Sequence, residues 1–587
     1  MYMRWIWLWC ATLAVPALQW VPYLLGPSHP SVFATVATLV VFGALGVAAA
    51  VGYDIRTQEQ RLPLLSAWLV AANALLIAGV GWWSLSTHSH AAADAWLVAL
   101  AVVHLVLGIA ARRSRRCAED LSLVAFALAT LLADVALARL TDGVPTVFGW
   151  LAGALALAAV ARRAARSQEL TAAEFGLGGH LALAIVTALS GPASPGTGNV
   201  TVSSAAVLLG LAATCLVTSR LVPTDRRFWR PALDGIAIAA VSYLTALSLD
   251  GPALVVAWSL EAVTLATIAR RSADPVAAAG AVAQLALAGI HALFLEAPPA
   301  ALATGELHTI DATIALGVFA GAALSVARLT PADRRHWRVG LDAAAIAGVT
   351  YLAALVFDGP ALAAAWAGGA VVLAAIARRT GNPAATVGAV AQLALAAGHA
   401  LLFEAPPVAL ITGDVDVLDI ALALGALACA ALVAVRLRLG EEYAQKLGGS
   451  PRPVLVGVAA IAVLHLISLE VVAAFQWSAA PIATGEWQLP VHQQAQMALS
   501  ATWAIIGVGA LVLGLVRDVR PLRLGALALL GVAAGKVFIF DLAQLDALYR
   551  VGSFFALGLL LLLGAFAWQR IRPRPIPDLR AAPPAAR

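Results

Sequence analysis

Runs of about twenty apolar residues follow one another along almost the whole chain of 587 residues. A run of this length spans the hydrocarbon core of a bilayer as an α-helix. The runs show no alternation of apolar and polar residues, so they do not predict the strands of a transmembrane barrel. Charged residues make up only 12% of the chain, against about 25% in soluble domains. The sequence therefore predicts an all-α, polytopic integral membrane protein with about 20 transmembrane helices.

The positions of lysine and arginine test this helix count. If the N-terminus lies in the cytoplasm and the helices alternate in direction, all but three of the 37 lysines and arginines fall on the cytoplasmic side. The exceptions are Arg139, Lys536 and Arg550. Cytoplasmic loops of membrane proteins carry such an excess of basic residues. We therefore predict a protein of the bacterial plasma (inner) membrane with its N-terminus and C-terminus in the cytoplasm.

The same charge pattern indicates the partners. The predicted cytoplasmic loops are short and basic, which favours contact with anionic lipid heads of the bilayer. The net charge of +5 does not indicate nucleic acid, and no feature names a protein partner. The outer side keeps acidic residues but almost no bases, so its potential is predicted to be negative. This charge is either what the sorting of bases leaves behind or a surface that gathers cations or repels anionic polymer.

The chain repeats itself with a period of 108 residues. The segment GAVAQLALAGIHALFLEAPP from Gly280 matches GAVAQLALAAGHALLFEAPP from Gly388. Each copy holds four helices, so consecutive copies keep the same orientation and form tandem parallel four-helix repeats. The predicted domains are N-terminal transmembrane helices in 1–119, a degenerate four-helix repeat in 120–227, four-helix repeats in 228–335 and 336–443, and C-terminal helices with a short cytoplasmic tail in 444–587.

A tight turn joins the first two helices of each repeat. It reads Asp250-Gly251-Pro252 in one copy and Asp358-Gly359-Pro360 in the next. Proline suits the first turn of a helix, and an aspartate before it can cap the free N–H groups there. We expect the aspartates to cap the second helix of each repeat.

The third helix of each repeat carries Gly, Gln, Ala and His on one face. Small residues and a glutamine at such spacing are typical of a packing seam between helices in lipid. Alternatively, the histidine and nearby carboxylates line an outward-facing proton or cation site. The candidate residues are His291, Glu296 and Asp311 in one repeat, and His399, Glu404 and Asp419 in the next. A long loop separates them, so we predict no metal site; no cofactor is predicted either.

The last two helices repeat this face with different chemistry. A shift of 137 residues takes His399 to Lys536 and Glu404 to Asp541. Lys536 is one of only two lysines in the chain, and an ammonium is not interchangeable with a guanidinium. One interpretation pairs Lys536 with Asp541, and Asp546 with Arg550, to close an outer turn. The other places these four residues around a pocket for an anionic or sugar-like ligand.

The segment KVFIFDLAQLDALYRVGSFF from Lys536 resembles the closing segment of a bacterial family of predicted membrane proteins called domain of unknown function 2339. The resemblance in specific residues covers roughly 520–570, and the many-helix architecture extends it over the whole chain. Members of this family often carry a cytoplasmic coiled-coil stretch before the first helix, whereas this chain starts almost directly in the membrane. The resemblance implies a multi-pass membrane protein and no particular activity.

No sequence motif assigns a reaction. The chain has no phosphate-binding glycine loop followed by Lys-Ser/Thr, no HExxH and no GxSxG. Enzymatic activity is left open and is the less favoured expectation. Three functions remain: transport or cell-envelope biogenesis with an outward-facing polar site, a membrane scaffold or assembly protein without its own chemistry, and an integral-membrane transferase acting on a lipid-linked substrate.

Overall fold

Almost all of the chain that the structure describes is helical. The structure, a computed structural model, describes residues 6–26, 30–57, 61–114, 116–164, 167–190, 198–223, 228–304, 309–413, 416–441, 450–477, 491–537, 551, 555–556 and 558–566. These residues contain no strand. The predicted all-α architecture is therefore confirmed.

Long helices account for most of the described residues. In chain order they are α1 (Ile6–Leu25), α2 (Val32–Thr57), α3 (Leu64–Ser86), α4 (His90–Arg113), α5 (Glu119–Leu140), α6 (Val144–Arg163), α7 (Ser167–Leu189), α8 (Val202–Leu221), α9 (Trp229–Ser248), α10 (Gly251–Ser272), α11 (Pro275–His291), the four-residue α12 (Ala301–Thr304), α13 (Thr309–Leu329), α14 (Arg335–Val356), α15 (Gly359–Thr380), α16 (Pro383–His399), the four-residue α17 (Ala409–Thr412), α18 (Val417–Arg436), α19 (Arg452–Trp477), α20 (Val491–Val516) and α21 (Arg520–Lys536).

Length and composition suit these helices to a bilayer. Within the described residues, 17 helices are long and apolar enough to cross a membrane. Less than half of each apolar window is buried by protein, and large side chains such as Phe33 and Phe175 are more than four-fifths exposed. Such exposure is costly in water, whereas hydrocarbon accepts it. The chain is a multi-pass membrane protein.

Arginine marks one end of alternate helices. Arg56 lies in the last turn of α2, Arg220 in that of α8 and Arg328 in that of α13. Pairs of arginines occupy the last turns of α4, α6, α10 and α15. A cation there interacts favourably with the carbonyl end of the helix dipole. We refer below to the arginine-rich and the arginine-poor ends of the helices.

The chain divides into two compact units. Unit 1 comprises residues 1–258 with 274–284, and unit 2 comprises residues 259–273 with 285–587. Within unit 1 a large core cluster is built around Trp150, Leu177 and Leu233. Within unit 2 the main cluster consists largely of alanines of α15, α16 and α18. Small side chains allow helices to approach closely, which is how helices associate in lipid.

Glutamine on the third helix of the later repeat ties helices together inside unit 2. Gln392 on α16 donates from Nε2 to Thr350 Oγ1 on α14 (2.7 Å). Trp366 on α15 donates from Nε1 to the Thr350 carbonyl (3.1 Å). Gly369 leaves the space that the Gln392 amide occupies, since a Cβ there would overlap Oε1. Gln392 therefore joins three helices at one point.

The earlier repeat makes the equivalent contacts inside unit 1. Ser242 Oγ on α9 donates to Gln284 Oε1 on α11 (2.9 Å), and Trp258 Nε1 donates to the Ser242 carbonyl (3.3 Å). Gln284 is 2% exposed, so its amide would be costly without such a bond. The glutamine-bearing face thus packs against neighbouring helices, as a seam does.

The Asp-Gly-Pro corners differ from the expectation. Gly251 and Gly359 open α10 and α15 with φ of +56° and +53°, in the left-handed region that favours glycine. Asp358 makes no side-chain capping bond. A capping side chain bonds the N–H of the second or third helical residue, and Pro360 occupies the second position without an N–H. The expected cap by Asp358 is therefore wrong, and glycine, not aspartate, forms the turn.

Candidate functional site

A π turn follows each of the two histidine-ended helices. Residues Ala292–Glu296 follow α11, and Ala400–Glu404 follow α16. The N–H of Ala297 bonds the carbonyl of Ala292 (2.8 Å), and that of Ala405 bonds the carbonyl of Ala400 (2.7 Å). Both bonds span five residues, which defines a π turn. Such turns are rare and frequently occur at functional sites.

The π turn brings histidine and glutamate together. In an α-helix, residues five apart are rotated by about 140° and do not face each other. The wider turn brings residue i+5 back towards the side of the helix that carries residue i. His291 Nε2 lies 3.2 Å from Glu296 Oε1, and His399 Nε2 lies 3.2 Å from Glu404 Oε1. These four residues form what we call the two His–Glu pairs, both at arginine-poor helix ends and both within unit 2.

The surroundings of His399 fix its ring. His399 Nε2 also lies 3.1 Å from the carbonyl of Gly359. The ring meets Trp366 edge-on at 5.9 Å and Phe403 at 5.2 Å between centroids. A carbonyl can only accept, so Nε2 carries a proton and donates it to the Gly359 carbonyl, with the Glu404 carboxylate beside it.

A neighbouring helix holds the carbonyl that follows each π turn. Tyr351 on α14 donates its hydroxyl proton to the carbonyl of Ala297 (2.8 Å). His465 on α19 contacts the carbonyl of Ala405 through Nε2 at 2.8 Å. Both π turns, at the ends of α11 and α16, are therefore packed against other helices. Each π turn is contacted by a side chain from a helix further along the chain, α14 for the first and α19 for the second.

The remaining predicted members of these sites stand on other helices. Asp311 lies in the first turn of α13, and Asp419 in the first turn of α18. A carboxylate there interacts favourably with the amide end of the helix. Among the described residues, neither side chain forms an ion pair with a His–Glu pair, and no group of three or more His, Cys, Asp or Glu could hold a metal ion. Within these residues the structure joins two of the three predicted members in each repeat.

The C-terminal candidate is described only at Lys536. Its Nζ donates to the carbonyl of Gln496 and to Ser500 Oγ on α20, both at 3.0 Å. The ammonium thereby ties α21 to α20 through two neutral oxygens. The other predicted members, Asp541, Asp546 and Arg550, lie outside the described residues. The four-residue site remains a prediction.

Comparison with known proteins identifies the family. The model of the family described as "predicted membrane protein", domain of unknown function 2339, matches residues 1–571. The chain belongs to the domain of unknown function 2339 family. The resemblance of the C-terminal segment to this family is thereby confirmed. None of the curated proteins and none of the solved structures compared with the chain matches it.

In this member of the domain of unknown function 2339 family, sequence reasoning missed two polar contacts in unit 1. His180 on α7 lies with Nε2 3.1 Å from Asp134 Oδ1 on α5. Trp82 Nε1 donates to Asp94 Oδ1 (3.1 Å), and Arg139 lies over the Trp82 ring at 4.8 Å. The available signal was a titratable residue inside an apolar helix, which by itself marks a functional candidate.

Proposed function

We propose that the protein acts in transport or cell-envelope biogenesis, and that the two His–Glu pairs are its proton or cation sites. The repetition of one arrangement carries this proposal: the same pair, on the same π turn, occurs at positions 108 residues apart. A single such contact could serve packing alone. Two copies of a rare backbone turn, each aligning a titratable pair, favour a shared chemical task.

The chemistry of the pairs suits proton or cation exchange. The side chains of His399 and Glu404 are 17% and 12% exposed, and those of His291 and Glu296 are 10% and 11% exposed. These four side chains are mostly buried, but each keeps some exposed surface. Glutamate can bind a cation or a proton, and histidine can take up a second proton near neutral pH. Each pair can therefore change its charge without a change in backbone structure.

We further propose that the arginine-rich helix ends face the cytoplasm of a bacterium and that the membrane is the inner one. The support is the repeated placement of arginine in the last turns of alternate helices, as positive-inside sorting requires. Both termini would then be cytoplasmic. The same arginines would contact anionic lipid heads, and the His–Glu pairs would open to the outside.

A scaffold or assembly role is the second candidate. The alanine-rich cluster of α15, α16 and α18 favours it, because tightly packed small side chains leave little room for a transport path. In that case the His–Glu pairs close the ends of α11 and α16 and do nothing more. The two proposals differ in whether the pairs exchange protons or cations with solution.

A flux assay separates the two proposals. The full-length protein is reconstituted into liposomes that contain a pH-sensitive dye, and proton entry is driven by a potassium diffusion potential. We expect entry above that of protein-free liposomes. The double variant Glu296→Gln/Glu404→Gln removes both carboxylates at constant shape, and we expect it to lose most of this flux.

The matched control keeps the number of removed charges the same. Asp250→Asn/Asp358→Asn also removes two carboxylates near arginine-poor ends, but neither belongs to a His–Glu pair. We expect its flux to equal that of the unmodified protein. Absence of proton entry in the unmodified protein, or equal entry in both double variants, would overturn the proposal and leave the scaffold role.

A further inference from the structure

An apolar cleft with one polar pair in its wall runs between four helices of unit 1. It has a volume of about 580 Å³ and is bounded by α4, α5, α6 and α7. This volume lies within the range of about 300–1,000 Å³ found for small-molecule sites. Its walls are almost wholly apolar, and the lining residues Val98, Val102, Leu105 and Leu140 are exposed. The cleft is therefore open on the side that the hydrocarbon of the bilayer would reach.

The polar part of the wall is the His180–Asp134 pair. His180 Nδ1 lies 2.8 Å from the carbonyl of Gly176, and Nε2 lies 3.1 Å from Asp134 Oδ1. The carbonyl only accepts, so Nδ1 carries a proton. A second proton is then needed between Nε2 and the carboxyl group, on one or the other. The pair holds this proton within itself and is neutral overall.

The surrounding helices are shaped to hold this pair. Gly153 on α6 faces the ring, and a Cβ at that position would lie 2.6 Å from His180 Nε2. The absence of a side chain at Gly153 lets α6 approach the imidazole closely. The His180 side chain is 6% exposed, whereas that of Asp134 is 21% exposed and lines the cleft. The His180 ring is therefore the buried member of the pair, and the Asp134 carboxyl group is the member that faces the cleft.

A polar pair is costly in an otherwise apolar wall at membrane depth. Asp134 lies six residues, or roughly 9 Å along the helix, from the C-terminal end of α5 at Leu140. Water-filled sites usually carry more polar walls than this one, whose only other polar lining side chain is Thr130. Thr130 donates its proton to the carbonyl of Phe126 (2.9 Å) and so presents lone pairs only. A ligand with a long apolar part and one polar end would match this lining.

We propose that this cleft binds a single hydrocarbon chain whose polar end is a hydroxyl group, such as a long-chain or prenyl alcohol. The chain would lie against the valines and leucines, and its hydroxyl would donate to the Asp134 carboxyl group. An anionic head group is disfavoured, because the carboxylate of Asp134 would face it. The site is separate from the His–Glu pairs, so it does not depend on the proposed function.

Photolabelling of the full-length protein in liposomes tests the proposal. The probes are a long-chain alcohol and the matching carboxylic acid, each with a diazirine in the chain and a terminal alkyne. We expect the alcohol to label peptides of α4 to α7 roughly tenfold more than the acid does, which corresponds to about 1.4 kcal/mol of binding free energy.

Two variants of α5 form a matched pair. Ala133 and Ala138 are both exposed on this helix, but Ala133 lines the cleft and Ala138 is not among its lining residues. Ala133→Phe should fill the cleft and reduce labelling by roughly tenfold, whereas Ala138→Phe should leave it unchanged. Equal labelling of the two phenylalanine variants would overturn the proposal.

A third variant tests the head group. Asp134→Asn removes the carboxyl group at nearly constant shape, so the preference for alcohol over acid should shrink to about twofold or less. A preference that stays near tenfold, or that is absent from the unmodified protein, would contradict the assigned head group. The phenylalanine pair remains decisive if Asp134→Asn does not fold.

Discussion

Two adjacent glycines of α15 offer a sharp test of the packing in unit 2. A Cβ at Gly369 would overlap the amide of Gln392, whereas a Cβ at Gly368 would meet no atom within 4 Å. Both positions are in the middle of the same helix. Replacing either by alanine removes the helix penalty of glycine, about 1 kcal/mol. This gain cancels when the two variants are compared, so their difference isolates the overlap.

The size of the overlap penalty follows from the bond that it breaks. Gln392 must turn away from the new methyl group, and its Nε2 then leaves Thr350 Oγ1, which it contacts at 2.7 Å. Interhelical hydrogen bonds in a membrane protein average about 0.6 kcal/mol. A buried polar group left without a partner costs about 1–3 kcal/mol. We therefore expect Gly369→Ala to be about 1–3 kcal/mol less stable than Gly368→Ala.

The assay is reversible unfolding in mixed micelles, followed by tryptophan fluorescence as the share of a denaturing detergent rises. The same comparison is made in a Gln392→Ala background, where the overlap no longer exists. There the two glycine variants should unfold at the same point. Equal unfolding of Gly368→Ala and Gly369→Ala in the native background, or a difference that survives Gln392→Ala, would refute the reasoning.

Two further predictions concern the ends of the helices. Lys536→Met removes the ammonium that contacts Gln496 and Ser500; we expect a loss of stability of about 1–3 kcal/mol in the same unfolding assay, with Lys446→Met unchanged. The proposed orientation predicts that a cysteine at Asp250 reacts with a membrane-impermeant maleimide in intact cells, whereas one at Arg271 reacts only after lysis. The same reactivity at both positions would contradict the orientation.

The helices could be predicted from sequence because a segment that crosses hydrocarbon must be apolar over about twenty residues. A segment such as α18 is apolar on every side, since its exposed face meets hydrocarbon and its buried face meets alanines. The Gln392 seam was also within reach, because a repeated glycine, glutamine and alanine at helical spacing predicts close packing. The hydrogen-bond partner of Gln392 could not be predicted, because Thr350 is 42 residues away in sequence and meets Gln392 only in the packed structure.

The sites were less predictable for a physical reason. A π turn is a backbone hydrogen bond shifted by one residue, and neither composition nor hydropathy changes where it occurs. His291 and Glu296 are five apart, a spacing that an α-helix would not bring together, so the sequence does not distinguish this pair from the more distant Asp311. His180 and Asp134 lie in the segment that the sequence predicts to be a degenerate repeat, so the repeat pattern does not point to them.

The two repeats that match best separate what the fold needs from what it leaves variable. In the seam, Ser242 in one copy and Thr350 in the next keep a hydroxyl for the glutamine, because an unsatisfied polar group in hydrocarbon is costly. At the arginine-poor end, the sequence position of His399 corresponds to Lys536 near the C-terminus, whose ammonium donates to the neutral oxygens of Gln496 and Ser500. Polar side chains at helix ends near the lipid heads can reach water, so these positions tolerate a change from histidine to lysine. The seam is thus kept between the two copies, whereas the polar group at the helix end varies. One helical scaffold can therefore carry different chemistry at its helix ends, and these ends are the places to test for function.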